Sequence, residues 1–362
     1  MPAEWDPHAA TWIAWPHNQE DWPGKFEPIP WVYAEIVRNL SRYETVNIIV
    51  NDAVGEKNAR KILNTANAFG DNIKFYRSPT DRVWTRDSGC TFVRHFARST
   101  ETSDGSGDQQ PRAGAPVPHQ PLIAITWQFN AWAKYSDWRK DWKVGGLMAQ
   151  AANAPAIEPV FHNERVVLEG GSIDVNGSGT LLTTEECLLS KIQQRNPGMK
   201  RRDYERVFAQ YLGATNVIWL KSGIAGDDTH GHVDDISRFV TPDTVVSVVE
   251  SDPNDVNYEP LRENIKRLRA ATDQDGNDLA IVELPMPRPV IFKNRRLPAS
   301  YANFYVANGV VLVPTFNDPN DRIALDAVAD VFPDREVIGI YCGDLIWGFG
   351  AIHCMTQQQP AR

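Results

Sequence analysis

The chain has 362 residues, 42% hydrophobic and 23% charged, which is an ordinary balance for a soluble globular protein with a substantial core. The net charge of −9, from 37 basic and 46 acidic side chains, argues against nucleic acid and anionic membrane as partners and is compatible with a small cationic substrate. The start, MPAEWDPHAATW, has no basic n-region and no apolar h-region, and no stretch approaches the ~20 apolar residues of a membrane helix. Cys90, Cys187, Cys342 and Cys354 form no CxxC pair, so a reduced, cytoplasmic protein is expected.

In chain order, VNIIVND ends at Asp52 and leads into a helical stretch over 54–69. The strand LIAITWQF follows at 122–129, then GTLLTTEE, ending near Glu185 and leading into the helical CLLSKIQQ. VVSVVESDPND (245–255) and VVLVPTFNDPND (310–321) repeat one pattern, with their Asp-Pro pairs 66 residues apart. A similar spacing relates the earlier segments, so five units account for the chain. SIDVNGSGTLLTT, ISRFVTPDTVVSVV and NFYVANGVVLVPTF each read strand, tight turn, strand. In the last helix Leu325, Val328, Val331 and Phe332 share a face, and ATNVIWL, LAIVEL and EVIGIYC supply closing strands. Five strand–strand–helix–strand modules favour an α/β fold closed into a ring, with loops from every unit around one centre. The segment 99–121, rich in Ser, Gly, Pro and Gln, reads as a flexible surface insertion. No boundary between independent domains is evident, so 1–362 is taken as one catalytic domain. Most of the twelve tryptophans read as core.

Five segments carry candidate chemistry. Cys354 sits in GFGAIHCMTQQ (348–358), where flexible glycines allow close backbone approach. Taken alone, it is as well read as a small buried residue as a nucleophile. DDTHGHVDD (227–235) suits either a metal site or acid–base work, but its spacing fits no common zinc pattern. In an extended chain His232 and Asp234 would face one side. WTRDSG (84–89) offers Asp87 beside Arg86, and LEGGS (168–172) places Glu169 before two glycines. RLPASYANFYVANG (296–309) holds Asn303 within what is mostly strand and core. Together these residues suit a planar cation. Two carboxylates grip a guanidinium, a cysteine attacks its carbon, and a histidine protonates departing ammonia and then activates water. A free thiol with pKa near ~8.5 is only slightly ionised at neutral pH, so a nearby imidazolium or the cationic substrate would have to favour thiolate.

From MPAEWDPHAATWIAWPHNQEDWPG through WTRDSG, LEGGS, GHVDD and RLPASYANFYVANG to AIHCMTQQQP, the chain resembles the agmatine deiminases, grouped with bacterial peptidyl-arginine deiminases. The resemblance covers nearly the whole length. It implies the five-bladed, pseudo-fivefold α/β propeller of the pentein fold and deimination through a cysteine thiouronium intermediate, with no metal or other cofactor. It makes Cys354 the nucleophile, His232 the acid–base, and Asp87 and Asp234 the guanidinium-binding pair. Trp84, Glu169 and Asn303 become candidates for lining the substrate channel, and His230 a neighbour of the site. The expected reaction is agmatine plus water to N-carbamoylputrescine plus ammonia. The alternatives are free arginine, another small guanidine or peptidyl-arginine, and a non-catalytic guanidinium-binding scaffold. The missing signal segment and missing further C-terminal domain weigh against a secreted enzyme of protein arginine. His230 and the run Gly348-Phe349-Gly350-Ala351 depart from the family pattern, which leaves the far end of the substrate open. Homodimers are common among the proteins it resembles, and the tryptophan-rich N-terminal segment suits packing on itself or on a second subunit.

Overall fold

Five times along the chain a β-branched strand runs into a helix and then into a strand parallel to the first. The computed structural model describes residues 1–94 and 121–362, so the insertion expected at 99–121 lies outside the described residues except for its last position. The parallel pairs are Thr45–Val50 with Ile73–Arg77, Leu122–Ile125 with Ala156–Ile157, and Thr180–Thr184 with Asn216–Leu220. Thr244–Val249 with Ala280–Pro285 and Val310–Thr315 with Glu336–Tyr341 complete the set. In the last four, an antiparallel strand precedes the pair, giving three-stranded sheets in the predicted strand–strand–helix–strand order. The first sheet differs. His8–Ala14 lies parallel to Thr45–Val50, and Gln357–Pro360, from the far end of the chain, pairs antiparallel with His8–Ala14.

The first strand of each parallel pair is largely buried because both of its faces are covered. Val245, Val246 and Val248 are fully buried, as are Val310 to Val313. Each such side chain contributes roughly 1.5–3 kcal/mol of burial free energy. The helices show one apolar stripe each. In Tyr258–Arg269 it is Leu261, Ile265 and Leu268, at helical spacing. Local chemistry sets the element ends. The Asp52 carboxylate accepts from the Gly55 N–H at 2.8 Å to cap the helix Ala53–Thr65. In the turn between Asp174–Val175 and Thr180–Thr184, Asn176 Oδ1 accepts from the Ser178 and Thr180 N–H groups while Gly177 takes φ +76°.

The helix predicted over CLLSKIQQ stops at Leu189. Ser190 is extended, Gln193 takes φ +47°, and the unit's main helix is Arg201–Leu212. The reason lies inside the molecule. The chain turns inward so that Arg195, completely buried, reaches Glu169. Among the described residues, no helix is long and apolar enough to cross a membrane.

Candidate active site

A cavity of about 560 Å³ opens among these sheets, with Trp84, Asp87, Trp132 and Cys354 on its inner wall. Cys354 follows the tight turn Leu345–Gly348 and is 5% exposed. A Cβ on Gly350 would come within 2.6 Å of the Trp84 ring and 3.1 Å of Cys354 Cβ, so only glycine lets this loop lie against Trp84. Asn303 is fully buried behind Cys354. Its Nδ2 lies 3.1 Å from Sγ and 2.9 Å from Asp235 Oδ1. The Cys354 thiol points to Asp234 Oδ2 at 3.7 Å.

Asp87 sits in the short helix Thr85–Ser88, and both of its oxygens are held. Gly171 N–H donates to Oδ1 at 3.0 Å and Trp132 Nε1 donates to Oδ2 at 2.9 Å. Trp132 reaches that position from an unusual backbone: Ala131, Trp132 and Ala133 have φ of +50°, +58° and +53°. Three consecutive left-handed residues without glycine cost about 1–2 kcal/mol each. Asn130 Oδ1 offsets part of this by accepting from the Ala133 N–H at 2.9 Å.

His232 and Asp234 do converge, though not as an extended strand. Val233–Asp235 is a 3-10 turn, and it brings His232 Nδ1 to 3.9 Å from Asp234 Oδ1 and 3.8 Å from Asp87 Oδ1. His232 Nε2 lies 3.8 Å from Glu169 Oε2. Both imidazole nitrogens are buried and lack a hydrogen-bond partner. The rest of the 227–235 cluster divides by task. Asp227 ties the loop together through the N–H groups of Thr229, Gly231 and His232. His230 turns away, its Nε2 3.0 Å from Ser190 Oγ.

Electrostatics follows from burial and neighbours. Burial raises the Asp87 carboxyl to about 6, with Asp234 and Glu169 adding to it and His232 opposing. Burial, then Asp234, Asp235 and Asp87, push the Cys354 thiol well above its usual value. Burial disfavours the His232 imidazolium, but Asp87, Cys187 and Glu169 outweigh it and raise this histidine well above its usual value. Burial also works against Glu169, yet Arg195 and His232 hold it down at about 2.

The profile of the Porphyromonas-type peptidyl-arginine deiminases matches residues 1–360. The chain belongs to this family. It is 34% identical over 384 aligned residues to an agmatine deiminase of Pseudomonas fluorescens (strain SBW25), covering 100% of this chain and 95% of that one. Among solved structures, an agmatine deiminase of Enterococcus faecalis superposes with a TM-score of 0.86 at 29% identity, covering 99% of this chain and 95% of that one. A C. jejuni agmatine deiminase with substrate bound gives 0.81 at 26% identity, with the same coverage. The family's α/β fold is therefore the fold of this chain.

Two of the residues expected to line the channel stand elsewhere. Glu169 lies behind His232, fully buried, with its oxygens 3.1 and 3.3 Å from Arg195 Nε, because a carboxylate in this interior needs a cation beside it. Asn303 supports Cys354 from behind and does not border the cavity, whereas Trp84 does. Sequence reasoning missed a buried chain of charges beneath the site. His353 Nδ1 is 2.7 Å from Asp234 Oδ2 and its Nε2 is 2.8 Å from Glu4 Oε2. Glu4 also pairs with Arg238 at 2.9 Å and Arg86 at 3.2 Å. The position of His353, next to Cys354, was an available signal, but nothing local marks Glu4. Two groups of donor atoms, Glu169 with Cys187 and His232, and Asp234 with Asp235 and Cys354, lie close enough to hold a metal ion. In the first, Arg195 already occupies Glu169, and in the second, His353 occupies Asp234 and Asn303 occupies Asp235.

Proposed function

We propose that this protein hydrolyses the guanidinium of agmatine to N-carbamoylputrescine and ammonia, within a single five-bladed α/β propeller domain. The observation that carries the reading is Cys354 Sγ beside Asp234, with Asp87 across the same cavity wall. This arrangement supplies a nucleophile between two carboxylates suited to a planar cation. Before binding, burial first and then the carboxylates of Asp234, Asp235 and Asp87 hold the proton on the thiol. The arriving guanidinium brings positive charge, and the thiol ionises by losing its proton to solvent, which balances the ammonia that later leaves as ammonium. The thiolate attacks the central carbon. His232, cationic among its acidic neighbours, donates a proton to the departing ammonia. The neutral imidazole then takes a proton from water, which attacks the thiouronium carbon. Collapse forms the carbonyl and expels Cys354, whose sulfur takes the proton of the new hydroxyl and is restored as the thiol.

The mouth of the cavity favours an amine tail over an amino-acid tail. Glu20, Asp21, Asp137 and Asp228 border the cavity. Arg82 is engaged by Asp21 and Asp137, while Lys134 and Arg295 both reach Asp228. An α-carboxylate would meet acids there and cations that are already paired, whereas the ammonium of agmatine meets favourable charge. Relatives of this chain carrying the name agmatine deiminase support the same choice. The test is ammonia release from purified protein with agmatine, arginine and a blocked arginine peptide. Agmatine is expected to give the highest kcat/KM, and no advantage over the other two overturns the proposal.

A further inference from the structure

Phe349 interrupts the glycine loop at the cavity mouth in a conformation that suits glycine. Its φ is +68° and its ψ is 20°. Both neighbours are glycines that close packing requires. A Cβ on Gly348 would come within 2.6 Å of Trp22 Nε1, and one on Gly350 within 2.6 Å of Trp84. At position 349 a glycine would also be free of strain, yet the chain carries a phenyl ring there. The ring is half-buried and borders the cavity. Its outer face carries the Arg295 guanidinium, 3.9 Å from the ring centroid.

Arg295 comes from the small hairpin Ile291–Phe292 and Arg295–Arg296. It does more than cover the ring. Its Nη2 lies 3.1 Å from Asp228 Oδ1, which Lys134 Nζ also reaches at 2.6 Å. The Tyr135 hydroxyl donates to Asp228 Oδ2 at 2.5 Å. Asp228 and Tyr135 border the same cavity. Three separate segments are thus tied across the mouth to the strained residue. Paired to Asp228, Arg295 keeps its charge off the substrate path and serves as a brace.

We propose that Phe349, braced by Arg295 and Asp228, sets the width of the cavity mouth and selects guanidines with a slender, unbranched tail over those branched next to the chain. This deepens the deiminase reading and rests on it. The determinant is steric, so opening the mouth changes which tails pass and not how the guanidinium reacts.

Phe349→Gly keeps the positive φ without cost and removes the ring, so folding is preserved. The ratio of kcat/KM for a blocked arginine amide to that for agmatine is expected to rise at least about tenfold, the discrimination such a wall supplies. A ratio unchanged within about twofold, with agmatine still turned over, overturns the inference and leaves the deiminase reading standing. If the parent enzyme turns over no guanidine, that reading falls instead. A second readout does not need turnover: the rate at which Cys354 is alkylated by a small and a bulky maleimide, followed by intact mass. Cys90, Cys187 and Cys342 are buried and do not border the cavity. The bulky reagent should gain at least about tenfold in Phe349→Gly while the small one changes little. Equal gains for both reagents overturn the inference. Arg295→Ala should shift both readouts in the same direction, and a result indistinguishable from the parent removes the brace from the proposal.

Discussion

Replacing Gly171 by alanine puts one methyl group where three side chains of the site already meet. Its Cβ would stand 2.6 Å from His232 Nδ1, 2.9 Å from Asp87 Oδ1 and 3.0 Å from Asp234 Oδ2. Ordinary contact begins near 3.4 Å, so the three groups must retreat by about 0.8, 0.5 and 0.4 Å. Gly171 has no positive φ, so the cost is steric and not conformational. Overpacking of this kind costs roughly 1–3 kcal/mol, within the ~5–15 kcal/mol that holds a typical domain together. The variant should therefore fold. Displacing reacting groups by up to about 1 Å costs on the order of 10²-fold in rate, so kcat should fall about 10- to 100-fold. Ammonia release measures the rate and urea unfolding measures the stability. Gly146→Ala is the control: it is an exposed helical glycine with nothing within 4 Å of a new Cβ, and it should match the parent or stabilise by about 0.5–1 kcal/mol. If Gly171→Ala keeps kcat within about twofold of the parent, the close convergence of His232, Asp87 and Asp234 is not what the chemistry depends on.

Cys354→Ser and His232→Ala should each abolish ammonia release without loss of fold, whereas His230→Ala should cost little because its ring faces Ser190; equal losses at the two histidines would reverse their assignment. Asp87 must be ionised to hold a cation, and burial raises it to about 6 in the empty site, so KM for agmatine should climb as pH falls below about 6. A KM that stays flat from pH 7 to 5 would contradict that role. Glu169→Gln leaves the Arg195 cation buried without its partner and should destabilise the fold by roughly 3–5 kcal/mol near neutral pH. Glu169 lies below its unfolded value of 4.5, at about 2, so its stabilisation is complete above pH 4.5 and is lost as pH falls toward 2. The gap between variant and parent in urea midpoints should therefore narrow from pH 5 to pH 3, and a constant gap would refute the ion-pair account.

The repeat was legible because strand, turn and helix signals are local. Asn176-Gly177 marks its hairpin turn, and the face shared by Leu325, Val328, Val331 and Phe332 marks the last helix. Asp87, His232, Asp234 and Cys354 were legible as motifs, and the fold gathers them although 267 residues separate the first from the last. Glu4 was not legible. Its partner His353 lies 349 residues away, and an acid near the start of a chain carries no sign of a buried cation network. Arg195 and Trp132 were missed for another reason. One depends on a helix that stops early and the other on three left-handed residues, and propensity argues against both. Glu169 was expected to line the substrate channel, and it stands behind His232 against Arg195. Two glycines after an acid suggest access to a ligand, and here they serve the close approach of Gly170 to Arg86 and of Gly171 to His232.

The strand Gln357–Pro360 completes the sheet begun by His8–Ala14, and Cys354 lies just ahead of it. The residues that would hold a guanidinium are therefore synthesised long before the one that would attack it. A polypeptide stopped anywhere between Asp234 and His353 would lack the thiol and also the imidazole that holds Asp234. Arming comes as the two ends of the chain zip together, so an assay of turnover also reports that this seam has closed. Loosening the seam, for instance by a charge at Gln358, whose side chain accepts from Arg86 Nη1 at 2.7 Å, would disarm the molecule with Asp87, His232, Asp234 and Cys354 all present.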